Sequence, residues 1–295
     1  MPVYRIHHST TYRHGAAAAM AWQSLRLQPR REASQECLEF DLEINPRPAD
    51  LSVRTDYFGN TQHVFTVRAV HREFSIQAHS LVRREEPARP ARHAAPTAAA
   101  AAEAVDLEIL QGDFSLEQFR HPSPLVPALP AVDSLTGAVD PALPLLEWMD
   151  ALGAVFSRTF RFDSTATLVS TPLEEVLRLR RGVCQDFAHL YLAGARSLGL
   201  AAAYVSGYLL TQPPPGRPRF IGADAMHAWV SVHVPGAGWV DYDPTNRCFA
   251  GSGHIVVARG RDYADVSPTR GVFNGGGAQT LYLGVTVEPE PESAS

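Results

Sequence analysis

The chain has 295 residues, 45% of them apolar, a formal net charge of −5 and three cysteines. This is enough chain for one large or two ordinary domains with a real hydrophobic core. The mild acidity and the lack of any basic cluster argue against a nucleic-acid or anionic-membrane partner. Cys37, Cys184 and Cys248 are too few and too far apart for a disulfide framework or a four-ligand zinc site.

The N-terminus, MPVYRIHHSTTYRH, is polar and strand-like, with no apolar signal-peptide core. No run reaches the length of a membrane span. The expected compartment is therefore a reducing cytoplasm, where thiols stay free.

Residues 1–85 read as mostly β. Val3, Tyr4 and Ile6 open an extended stretch. Leu38, Phe40, Leu42 and Ile44 alternate with Cys37, Glu39, Asp41 and Glu43, a half-buried strand pattern with Cys37 on the polar side. LSVRTDY and TQHVFTVRAV flank Phe58-Gly59-Asn60, a hairpin signal. FSIQAHSLV adds another strand, and the expected product is a small antiparallel sandwich or barrel. His7 and His8 point to opposite faces of their strand, so they make poor joint metal ligands. This domain shows no chemistry of its own.

Residues 86–142 are Pro/Ala-rich and read as a long connection that partly packs on the surface, with room for a short helix in the Ala run. Leu145, Leu146, Met149, Leu152 and Phe156 then form one helical stripe. Thr171-Pro172-Leu173-Glu174 has the spacing of a capping box for a helix that ends near Gly182.

The next helix starts at Cys184. Phe187, Ala188, Tyr191, Leu192, Ala195 and Leu198 recur at helical spacing, and Gly199 falls where a left-handed residue would end it. A thiol in the first turn of a helix feels unpaired N–H groups and the positive end of the dipole, which favour the thiolate. The plain alternative is a buried, inert cysteine.

AAAYVSGYLL fits a strand buried on both faces, and Pro213-Pro214-Pro215-Gly216 a surface excursion. In HAWVSVHV, His227, Trp229, Ser231 and His233 share one face. Pro235-Gly236-Ala237-Gly238 turns the chain, and Trp239, Asp241 and Asp243 share a face of the returning strand. HIVVA and TLYLGVTVEP close the core, and EPEPESAS is a frayed polar tail.

Cys184, His227 and Asp243 have the chemistry of an acyl-transfer triad: nucleophile, base and orienting acid. Among 12 histidines a lone strand His is ordinarily structural, and an Asp before Pro ordinarily starts a turn. The hairpin supplies a test. A two-residue turn would set Asp243 opposite residue 230, on the wrong face for His227. A three-residue loop, 235–237, sets it opposite 229, one diagonal step from His227.

RRGVCQDFAHLYLAGARSLGLAAAYVSGYL, DAMHAWVSVHVPGAGWVDYDPTN and GRDYADVSPTRGVFNGG resemble the bacterial transglutaminase-like family. YRIHHSTTYRH, LRLQPR and DYFGN resemble the β-rich N-terminal region of many members. The resemblance implies an α+β protein: a β-rich, sandwich-like N-terminal domain, then a papain-like/transglutaminase-like core with a Cys-bearing helix packed on an antiparallel sheet. It assigns Cys184 as nucleophile, His227 as base and Asp243 as orienting acid. It departs from the family at Gly199-Leu200-Ala201-Ala202-Ala203, where members often read G-[IL]-P-A-R, so an Arg that might have lined the cleft is absent.

The expected boundaries are 1–85 for the N-terminal domain, 86–142 for the connection, 143–288 for the catalytic core and 289–295 for the tail. Trp229, Asp186 and Tyr208 are candidate substrate-lining residues. Trp229 reads equally as core packing, and Asp186 as a helix-start charge partner. The Cys184 backbone N–H is a natural oxyanion donor, whereas Gln185 projects about 100° around the helix and is a poor second one. The resemblance places the loop that carries Asp262 and Asp265 near the cleft, and Cys248 is a candidate redox partner for Cys184.

The expected activity is a thiol hydrolase or acyl transferase acting on amide bonds of a peptide or protein, with hydrolysis slightly favoured over cross-linking. No cofactor is called for, and no EF-hand-like loop suggests calcium. A non-catalytic peptide-binding module is the alternative. A metalloenzyme has little support, because no histidine pair has helical ligand spacing beside an acid.

Overall fold

The computed structural model describes residues 2–210 and 226–291. The Pro213–Gly216 excursion and the end of the tail lie outside them. The fold is α+β, as the sequence indicates.

The N-terminal part is one antiparallel sheet built on a 23-residue strand, β1 (Val3–Leu25). With β2 (Gln35–Asn45), β3 (Asp50–Thr55), β4 (Thr61–Val67) and β5 (His71–Arg84) it runs in the order β2-β5-β1-β4-β3. The first half of β1 pairs with β5 and the second half with β4. Tyr12 from one half and Ala21 and Leu25 from the other share a core with Phe65, Phe74 and Ile76. The β3–β4 turn holds because Asp56 accepts from the backbone N–H of Phe58 and Asn60 while Gly59 takes φ +78°.

In β2 a bulge between Cys37 and Glu39 resets the alternation. Leu38 therefore turns outward and Cys37 is half-buried, the reverse of what strict alternation predicts. Burial pushes the Cys37 thiol up to about 11.

The 86–142 segment is more structured than a connection. It forms α1 (Ala98–Leu110) and α2 (Pro130–Thr136). Thr97 caps α1 by accepting from the Ala100 N–H, and Val105 packs with Leu116, Phe119, Ala201 and Ala203. Next come α3 (Leu145–Thr159), β6 (Arg161–Phe162), α4 (Leu173–Leu179) and β7 (Arg181–Gly182), with β6 and β7 paired in parallel. The predicted stripe of α3 is buried along its length. The capping box on α4 does not form: Thr171 accepts instead from the Leu168 N–H, a tighter local turn that competes for the same hydroxyl.

Helix α5 (Cys184–Ser197) is the centre of the second core. Beyond the expected apolar stripe, Gln185, Asp186, His189 and Arg196 are buried too, because α2, α3 and α4 cover the side facing away from the sheet. Arg196 repays its burial by donating to the carbonyls of Phe119, Ala202 and Arg261. Gly199 ends the helix at φ +88°.

The sheet under α5 is antiparallel, in the order β11-β10-β9-β8-β12. Its strands are β8 (Ala202–Leu209), β9 (Met226–Val234), β10 (Gly238–Asp243), β11 (Cys248–Phe249) and β12 (His254–Gly260). Gly207 of β8 stands opposite His227, and a Cβ there would meet the Ile255 carbonyl and the Trp229 ring. We expect Gly207→Ala to destabilise the protein by about 1–3 kcal/mol, read as a lower urea midpoint. An unchanged midpoint would mean that both the β12 backbone at Ile255 and the Trp229 ring can shift to make room.

After α6 (Tyr263–Val266) the chain leaves the core. Strands β13 (Thr269–Gly275) and β14 (Gln279–Pro289) both pair with β1, so residues 269–289 belong to the N-terminal sheet rather than to the core. A strand's own alternation does not say which edge it will join. The start of the tail is held, with Arg5 paired to Glu290 at 2.5 Å. Tyr4, Ile6 and Val82 of the N-terminal sheet pack against Tyr208, Ile255 and Val257 of the core.

Candidate active site

Cys184 is the first residue of α5, reached through an extended Val183. Asp186 fixes this entry: its carboxylate accepts from the Val183 N–H at 2.8 Å and the Thr167 hydroxyl at 2.6 Å. Burial pushes the Asp186 carboxyl up, against the pull of those two bonds. A Cβ at Gly182 would meet that carboxylate at 2.5 Å, so only glycine lets the chain pass.

The β9–β10 hairpin has the three-residue loop that the site requires. Val234 pairs with Gly238 and Val230 with Tyr242, while Gly236 takes φ +76°. Asp243 thus falls one diagonal step from His227, and Nε2 of His227 lies 2.7 Å from Oδ2 of Asp243. Cys184 and the His227 ring line the same cavity, and the thiol acts electrostatically on the imidazole. With Nε2–H directed at the carboxylate, Nδ1 is left to serve the sulfur.

Burial alone would lower the His227 pKa. The hydrogen bonds and charges of Asp243 and Cys184 outweigh it and push the imidazole up to about 10. Asp243 is fully buried, yet bonds from His227, His254 and Asn246 hold its carboxyl well below the usual range. The arrangement sets a thiol beside an imidazole that a buried carboxylate orients and keeps charged.

Two participants were not read from the sequence. Asn246 donates its backbone N–H to Oδ1 of Asp243 at 3.1 Å and its side-chain amide to Oδ2 at 2.6 Å. His254, at the start of β12, lies 3.3 Å from Oδ2 through Nε2. The backbone N–H of Gly251 points at His254 Nδ1, so Nε2 carries the proton and donates to Asp243. Asn246 stands within the quoted DPTN run, but nothing local distinguishes His254 from other strand histidines. We expect His254→Ala to lower kcat about tenfold with KM unchanged, the loss of one hydrogen bond to a charged group. A wild-type kcat would remove His254 from the site.

The three proposed lining residues are not on the cavity beside Cys184. Trp229 is fully buried against Val205 and Val256 and donates to Asp241 at 3.0 Å. Asp186 serves the helix start. Tyr208 is buried between the two sheets, with its hydroxyl 3.2 Å from His8 Nδ1. Each sits behind the site because its polar atom is satisfied by the protein itself. Gln185 lines the cavity beside Cys184, with its side-chain amide committed to the Val169 carbonyl at 3.1 Å. Asp262 caps α6 and accepts from the Leu125 N–H, and Asp265 pairs with Arg261. Cys184 and Cys248 are both free thiols, and Cys248 pairs with Asp243 across β10–β11.

Donor atoms of Asp243, Cys248 and His254 lie within 4.8 Å of one another, a group that could hold a metal ion. Asp243 is already engaged by the His227, Asn246 and His254 side chains, so a cation there would compete with them.

A cysteine opening a central helix, facing a histidine on an antiparallel sheet whose next strand supplies the carboxylate, defines the papain-like/transglutaminase-like class of fold. Residues 4–83 match the bacterial transglutaminase-like N-terminal region, and residues 133–244 match the transglutaminase-like superfamily. An uncharacterised protein of Mycobacterium tuberculosis is 39% identical over 92% of this chain and 87% of its own. Another, from Mycobacterium leprae, is 31% identical over 96% and 97%. A crystal structure of a provisionally assigned cysteine protease from Cytophaga hutchinsonii superposes with a TM-score of 0.74 at 19% identity, covering 100% of this chain and 92% of that one, a likeness of fold. The chain belongs to the transglutaminase-like superfamily and carries the bacterial N-terminal region.

Proposed function

We propose that the protein is a thiol hydrolase or acyl transferase that cleaves amide bonds of a peptide or protein through a Cys184 thioester, with hydrolysis favoured over cross-linking. The observation that carries this is the His227–Asp243 hydrogen bond at 2.7 Å on the cavity that Cys184 also lines, with a carboxylate charged at neutral pH behind the imidazole. Family membership supports the same class of chemistry.

In the reaction the thiol proton already resides on His227, whose imidazole is held charged at neutral pH, and Sγ attacks the carbonyl carbon as the thiolate. The backbone N–H of Cys184, at the free start of α5, faces the oxygen on which charge develops. The C–N bond then breaks, and His227 delivers its proton to the leaving nitrogen. Water attacks the thioester and gives a proton to His227; the acid departs and the thiol is restored. An amine in place of water gives transfer.

The test offers peptide libraries containing Gln, with and without a primary amine, and reads the products by mass. Backbone cleavage, deamidation and amine incorporation each name a different reaction. Iodoacetamide labelling provides the control. Rapid labelling of Cys184 that is lost in His227→Ala supports the enzyme. Slow labelling independent of His227 leaves only a binding module.

A further inference from the structure

A cavity of about 260 Å3 opens on Cys184 and His227. Its walls come from both halves of the protein. The core supplies Val169, Met226 and Tyr263, and the N-terminal sheet supplies His8 together with Leu281 and Leu283 of β14. Leu281 and Leu283 are two positions apart, so they share one face of the strand. Each is about half exposed, at 52%. Leu168, at 75%, and Val169, at 57%, extend the apolar surface on the core side.

Among the described residues lining this cavity, none is Asp, Glu, Lys or Arg. His8 does not supply a charge either. Its Nε2 lies 2.9 Å from the Thr10 hydroxyl and its Nδ1 3.2 Å from that of Tyr208. Burial, then the neighbouring His7, lowers its pKa to about 4, so it is neutral at pH 7. The polar Thr269 is engaged by the Tyr12 hydroxyl at 2.9 Å. The one charged ring on the lining, His227, is already paired with Asp243 at 2.7 Å, so a charged substrate side chain entering here would lose its water and find no free counter-charge among the described residues, whereas an apolar one would gain by burial.

We propose that the acyl donors of Cys184 carry a large apolar side chain (Leu, Met or Phe) beside the attacked carbonyl, and that Leu281 and Leu283 set this preference. The inference rests on the thiol reading above and deepens it. It makes the substrate a main-chain amide flanked by an apolar residue, and it makes the N-terminal sheet part of the specificity apparatus. The occupant is identified by continuity: the apolar wall begins at the nucleophile itself.

The experiment uses the full chain and peptide arylamides that differ only at the residue bearing the cleaved carbonyl: Leu, Phe, Gln, Glu and Lys. The expected result is a kcat/KM for Leu and Phe roughly a hundredfold above Glu and Lys. Leu283→Arg should reduce that ratio about tenfold or more by favouring Glu. Leu281→Ala, milder for folding, should weaken turnover of the Leu and Phe peptides without improving Glu. Equal turnover of all five peptides, no turnover of any, or a ratio indifferent to both substitutions would overturn the proposal. His227-dependent labelling of Cys184 by iodoacetamide, which needs no peptide, is measured alongside. If it persists while the apolar preference is missing, only the pocket inference fails; if labelling is itself slow and independent of His227, the thiol reading fails first.

Discussion

His227→Ala is expected to reduce amide turnover by about 10³–10⁴-fold, with a parallel loss of rapid Cys184 alkylation. Among the described residues the imidazole is the group that adjoins both the cavity of Cys184 and the buried carboxylate, and without it the proton has no carrier. The same variant tests the electrostatics. The His227 pKa is raised, so the ring contributes stability that is fully present below its ordinary value near 6.5. That contribution is lost as pH rises through about 10. Asp243 has the opposite sign: its pKa is depressed, so its contribution is present above its ordinary value near 3.8 and is lost as pH falls below it. The stability gap between wild type and His227→Ala should therefore be largest near pH 5–6 and close towards pH 10. Urea titrations across that range measure it. A gap that widens as pH rises would contradict the charged-ring arrangement.

Arg259→Met is expected to cost about 3–5 kcal/mol of folding stability, the largest structural effect we anticipate. Arg259 of β12 forks onto Asp241 of β10 at 2.9 and 3.1 Å and reaches Glu32 at 2.8 Å, in the segment between β1 and β2. Burial pushes the Asp241 carboxyl up, but the Arg259 charge and bonds from Arg259, Ser231 and Trp229 hold it below its ordinary value. Removing the guanidinium leaves the buried Asp241 carboxylate without its cation, while Glu32 keeps Arg30 at 3.5 Å and Arg84 at 3.9 Å. Glu32 and Asp241 come from opposite parts of the protein, so the loss should also loosen the N-terminal sheet from the core. Arg259→Lys keeps the charge but not the planar fork and should fall between. Chemical denaturation checks this; a loss under 1 kcal/mol would show that water reaches the pair.

Two of the strongest elements were legible because their signals are local. The start of α5 at Cys184 follows from apolar spacing and the closing Gly199. The meeting of His227 with Asp243 follows from strand parity and a loop of odd length, and the hairpin has that loop. Thr171 and Cys37 misled for equally local reasons. A hydroxyl that can cap a helix can also close a turn, and one bulge inverts an alternation.

The chain by itself determined the helix that opens at Cys184 and the face shared by His227 and Asp243, because periodicity and turn length fix which side chains point together; its class came from the resemblance of whole motifs to a family. Only the tertiary structure decided that His254 braces Asp243, that Trp229, Asp186 and Tyr208 stand behind the site, and that β13 and β14 return to β1 to wall the cavity. These depend on pairings between residues as distant in the chain as Tyr4 and Pro289. No local pattern encodes such a pairing, since any strand edge of matching parity could have accepted those strands.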